Sequence, residues 1–161
     1  MDEYNGFTGK ERAANGAALL KAIRSGAIPA PSGACSLCGD PDAKVDYHSE
    51  DYAQPYSWSP PAAYVVCISC HRNKLHKRFA DPLKWEAYKE HVRRGGYASD
   101  LKKPDVAKEF DAYVLSRRSG RPAQLCQLRP HPHQAGSQWW EKLESIRDPA
   151  GENTSLPNSP V

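Results

Sequence analysis

Cys35-Ser36-Leu37-Cys38 and, after twenty-eight intervening residues, Cys67-Ile68-Ser69-Cys70-His71 are the stretches that decide the fold. Each Cys-x2-Cys pair folds into a tight turn that aims two sulfurs at one point, and two such pairs complete the tetrahedral thiolate shell of a structural zinc ion. The competing reading is a redox pair, which usually occurs once and beside a βαβ pattern. Four thiolates leave no open coordination position, so this zinc contributes to folding, on the order of 10 kcal/mol in zinc-finger peptides, and does not itself activate water. Cys126 stands outside the scheme as a free thiol.

Working outward, Lys44 to His48 and Tyr64 to Cys67 read as two short strands. The second is rich in the β-branched and aromatic residues that strands favour. Pro55, Pro60 and Pro61 exclude regular structure between them. From Ser69 to Phe79 good helix formers run without a breaker until Asp81-Pro82. Pro82 at the first helical position opens a further helix with Leu83, Trp85, Tyr88 and Val92 as packing residues, ended by Gly95-Gly96. Pro104 to Arg118 is another, with the stripe Val106, Phe110, Tyr113 and Val114. Upstream, Thr8 and Glu11 form a capping box for a helix to Ser25, whose Ala14, Ala18, Leu19, Ala22 and Ile23 lie near one face. These elements make a small, mainly helical α+β protein. Its segments are a helix and linker (1–34), the cysteine module (35–80), two further helices (81–120) and a Pro-rich tail (121–161). Within the tail, Ser137 to Ile146 reads as a short helix presenting Trp139, Trp140 and Leu143. That helix either folds back over the domain or docks a protein partner.

The chain has 161 residues and a formal net charge of +3, which is informative only when divided along the sequence. Residues 1–70 carry five basic side chains against eight acidic ones, whereas residues 71–121 carry fourteen against seven. A polyanion such as DNA would be drawn to that second half. No stretch approaches the roughly 20 apolar residues of a membrane span. The start of the chain lacks the apolar run of a signal peptide, and with five cysteines this points to a reducing cytoplasm.

Candidate acids, bases and ligands crowd one window: Asp46, His48, Glu50, Asp51, His71, Asn73 and His76. The set Cys35-x2-Cys38, Tyr47-His48-Ser49-Glu50-Asp51-Tyr52 and Cys67-x2-Cys70-His71, with His76 beyond, resembles the HNH family of ββα-metal nucleases over about residues 35–79. The resemblance implies a zinc-stapled ββα-metal, treble-clef-like module flanked by helices. It also implies endonuclease activity on DNA with Mg²⁺ or another divalent metal. Carried over, His48 is the first-strand histidine acting as general base, His71 is a catalytic metal ligand, and His76 resembles a further helix ligand. Its five-residue spacing from His71 is one longer than the usual four.

Two departures from the family pattern keep alternatives open. If His48 is the second member of the family's first-strand pair, it is the base and Tyr47 replaces a ligand. If it is the first member, it is a ligand and Ser49 stands where the base belongs. For the ligand missing at the first-strand pair, Asp46, Glu50 or Asp51 is the candidate oxygen donor. The family's middle asparagine is replaced in the Ala62-Ala63 region, which leaves the base histidine without its usual orienting partner, a task open to a backbone carbonyl. The alternative function is a catalytically degenerate zinc module that binds nucleic acid or a protein without cutting.

Overall fold

The computed structural model describes residues 2–131, 133 and 137–144. Helix α1 spans Gly9–Arg24 and starts in the expected capping box, with the Glu11 carboxylate accepting the Thr8 N–H at 2.8 Å. Its buried residue, however, is Asn15 and none of the alanine face. Methyl groups give this helix little to bury, and it meets the body of the protein through polar side chains: Ser49 Oγ donates to Asn15 Oδ1 at 3.1 Å, and the Arg12 guanidinium lies over the Tyr4 and Tyr52 rings and 3.3 Å from His76 Nδ1.

Strands β1 (Val45–Ser49) and β2 (Ala63–Cys67) form a two-stranded antiparallel sheet in which His48 faces Tyr64 and Val45 faces Cys67. The first cysteine turn is tied to this hairpin because Ser36 N–H donates to the Val65 carbonyl at 2.9 Å. Helix α2 then runs Ile68–Asn73, capped by Cys67, whose sulfur accepts the Cys70 N–H.

The continuous helix expected from Ser69 to Phe79 is broken. At Lys74 the backbone turns to φ −118°, ψ −64°, and Leu75–Lys77 form a 3-10 turn. This tighter turn seats Leu75 in the core, fully buried, while Arg78 is buried beside the hairpin. Helices α3 (Pro82–Arg93) and α4 (Pro104–Arg118) lie where the sequence places them. Trp85, Tyr88, Val92, Phe110 and Val114 are buried as expected, but Leu83 is exposed because it sits on the outer side of α3. Gly95 is required: at φ +80°, a Cβ there would lie 2.1 Å from the Arg129 carbonyl oxygen.

One core joins the four cysteines to Trp85, Tyr88, Phe110 and Trp140, and a smaller cluster of Tyr4, Phe7 and Tyr52 closes the N-terminal side. The cysteine module and the helices after it are therefore welded by common packing. In the tail, Trp139–Lys142 form a 3-10 turn, and the segment folds back. Trp140 is fully buried and Trp139 packs edge-on against Tyr64 at 4.6 Å. The expected helix from Ser137 to Ile146 is thus reduced to this one turn: Ser137, Gln138, Leu143 and Glu144 are not helical, and Ser145 and Ile146 lie outside the described residues. Among those residues, no helix is long and apolar enough to cross a membrane.

Candidate functional site

Cys35, Cys38, Cys67 and Cys70 converge, with sulfurs all within 4.8 Å of one another and all four residues buried. The turns hold them by N–H···S bonds, Cys38 N–H to Cys35 Sγ at 3.5 Å and Cys70 N–H to Cys67 Sγ at 3.3 Å. The Tyr88 hydroxyl lies 2.7 Å from Cys70 Sγ. The thiols cannot share this space as anions unaided. Hydrogen bonds from its neighbours hold the Cys35 thiol low, the Cys35 contact pushes Cys38 up, and burial pushes Cys70 up. A dication resolves that conflict by taking all four as thiolates, so the donor set fits a metal such as zinc.

A second cluster lies on the other side of α2. His48, His71 and His76 each offer a ring nitrogen, and these atoms lie within 4.8 Å of one another. The break at Lys74 makes this possible. On an unbroken helix a five-residue step leaves two side chains about 140° apart, whereas here the His71 and His76 rings stack at 4.8 Å. Burial and the nearby His48 depress both, His71 to about 4 and His76 to about 3, so each imidazole is neutral near neutral pH. His76 Nδ1 accepts from Arg12 Nη2 at 3.3 Å, so a metal ion at that nitrogen would take the place of the guanidinium.

His48, fully buried, is oriented by a residue that the sequence left among several candidate oxygen ligands. Glu50 Oε1 lies 3.0 Å from His48 Nε2. Arg78 donates to both carboxylate oxygens at 2.7 and 2.6 Å, the Tyr64 hydroxyl donates to Oε1, and Asn5 Nδ2 donates to Oε2 at 3.3 Å. Burial pushes the Glu50 carboxyl up, but His48 and Arg78 outweigh it and hold it at about 2. An ionised carboxylate only accepts, so His48 carries its proton on Nε2 and keeps a lone pair on Nδ1. That Nδ1 is buried and has no hydrogen-bond partner. Burial lowers the His48 pKa, which keeps the lone pair free.

Arg78, one of the fourteen basic residues of 71–121, is therefore buried as the counter-ion of Glu50 and does not face solvent. Ser49, the alternative base, is buried and donates its hydroxyl to Asn15. Asp51 accepts the Ala53 N–H at 2.8 Å, and Asp46 Oδ2 lies 3.8 Å from His71 Nδ1. Asp46 is thus an exposed carboxylate beside His71, as Glu50 is the buried one beside His48.

Sequence reasoning missed the pairing of Glu50 with Arg78. The sequence carries no local signal for it, since the two residues are twenty-eight positions apart. Compared with protein-family models, curated proteins and solved structures, the chain gave no match in any of the three.

Proposed function

We propose that this chain is an HNH-like endonuclease that hydrolyses DNA phosphodiester bonds with one divalent metal ion, His71 and His76 serving as ligands and His48 as general base. The observation that carries this reading is His48: a buried histidine whose Nε2 is committed to a carboxylate and whose Nδ1 holds an unshared lone pair beside two neutral imidazoles. A carboxylate behind a histidine fixes its tautomer and raises its basicity. Glu50 thereby takes over the orienting task left by the absent middle asparagine.

A divalent ion held by His71 and His76, with Asp46 nearby, would neutralise charge on the phosphate and on the leaving oxygen. His48 Nδ1 accepts a proton from water, and the ionised Glu50 stabilises the imidazolium that results. Arg78 keeps Glu50 ionised in that buried setting. Imidazole donors suit a transition-metal dication better than Mg²⁺, which prefers oxygen ligands and retains its water.

Plasmid cleavage by zinc-loaded protein, with Mn²⁺, Ni²⁺ or Mg²⁺ added in turn, tests the reading. Wild type should cut with added metal, His48→Ala should keep metal binding and lose cleavage, and His71→Ala should lose both. Loss of metal by His48→Ala would make His48 a ligand. Folded wild type that binds DNA and never cuts it would replace the nuclease with a binding module.

A further inference from the structure

A cleft of about 580 Å³ opens between the Leu75–Lys77 turn and helices α3 and α4, and its lining includes none of the four clustered cysteines or three clustered histidines. That volume suits a small ligand or one unit of a polymer. Its basic residues are not equivalent. Arg78 lines it, but its guanidinium is spent on Glu50. Lys74 is partly buried, with Nζ 5.0 Å from the Tyr88 ring centroid and 5.3 Å from that of Phe110, and no carboxylate among the described residues lies within 4 Å of it. Lys77 and Lys84 stand exposed at the rim.

The acidic lining is weaker than this set. Asp81 caps α3 through the Lys84 N–H at 3.1 Å and takes Arg118 on its other oxygen, with Lys84 Nζ only at 4.0 Å. Asp111 is the other carboxylate of the lining. The cleft is therefore cationic, with one ammonium fixed over aromatic rings and two exposed at the rim, of which Lys84 has only a long contact to Asp81. Tyr88 is fully buried and Phe110 nearly so, which leaves little ring surface for a base to stack on.

We propose that this cleft seats a backbone phosphate of the DNA strand, bound by Lys74, Lys77 and Lys84. The assignment rests on the DNA reading above and adds where the strand runs. Arg78 joins the cleft lining to the buried Glu50–His48 pair, and Lys74 and Lys77 of the cleft stand on the same short segment of chain as His71 and His76. Phosphate contacts of this kind position a strand without reading its sequence.

The test is binding of a short labelled single-stranded DNA to the full zinc-loaded chain, read by fluorescence anisotropy across a salt series with no other metal added. Lys77→Gln and Lys84→Gln should each weaken binding roughly fivefold at low salt and flatten the salt slope by about 0.7. Lys21→Gln, on α1, should change little. Asp111→Asn should tighten binding, an outcome that a damaged fold cannot mimic. Cleft variants that match Lys21→Gln overturn the proposal. Inorganic phosphate that displaces the DNA at equal phosphate concentration overturns the strand assignment in favour of a free-anion pocket. Because binding is read without cleavage, a protein that binds through the cleft and never cuts sinks only the nuclease. One that cuts with unaltered cleft variants sinks only this site.

Discussion

Glu50 Oε1 lies 3.0 Å from His48 Nε2 while both Glu50 oxygens accept from Arg78, so one buried carboxylate both orients a histidine and neutralises an arginine. Removing one member of such a pair leaves the other charge buried without compensation. Arg78→Met and Glu50→Leu should each cost about 3–5 kcal/mol in urea unfolding of the zinc-loaded protein. The double variant should cost clearly less than their sum. Additive losses would mean that the two side chains are not coupled.

The depressed histidines set a pH window. His71 and His76 protonate at about 4 and about 3 when folded, against an ordinary value near 6.5, because burial and the nearby His48 disfavour their charged forms. Below pH 6.5 the unfolded chain therefore takes up protons that the folded chain refuses, and stability falls as pH drops from about 6.5 to about 4 for His71 and about 3 for His76. The same shift keeps both imidazoles neutral, as ligands of the proposed metal ion must be. Ni²⁺ titrated calorimetrically into zinc-loaded protein should bind almost as well at pH 5.5 as at pH 7.5. A tenfold loss over that interval would show ordinary, solvated histidines instead.

Much of this was legible before the fold was seen, because cysteine spacing and proline placement are local signals. The turns of Cys35-x2-Cys38 and Cys67-x2-Cys70, the strands between them and the start of α3 all follow from residues within a few positions of each other. What escaped depends on long-range pairing. Nothing local distinguishes Arg78 from Lys77, yet one is buried against Glu50 and the other exposed. The break at Lys74 was equally hidden, since every residue from Cys70 to Phe79 tolerates a helix. Tertiary demands at Leu75 and Arg78 override that propensity.

The four buried cysteines and the exposed Cys126 should behave oppositely. Cys67→Ser should lose the metal and most of the cooperative unfolding transition, because metal binding and folding are coupled at such a site. Cys126→Ser should leave both unchanged. Metal content by atomic spectroscopy, alongside thermal melts, reads the two effects. One equivalent of zinc retained by Cys67→Ser would remove that residue from the ligand set.

Trp140 decides what the tail does. Its side chain is fully buried, its ring lies 5.7 Å from that of His133, and His133 Nε2 lies 3.0 Å from the Leu37 carbonyl oxygen beside the cysteine turn. A tryptophan held this way is part of the core, so Trp140→Ala should destabilise the zinc-loaded protein by about 3–5 kcal/mol. Trp140→Phe should cost much less, since the Nε1 it removes has no hydrogen-bond partner. Deleting residues 121–161 removes Trp140 together with the Arg93–Glu141 ion pair, and should lower the melting temperature at least as far as Trp140→Ala does. A tail serving only to dock a partner would behave differently: the truncated protein would melt like wild type, and the Trp140 variants would differ from it in binding alone.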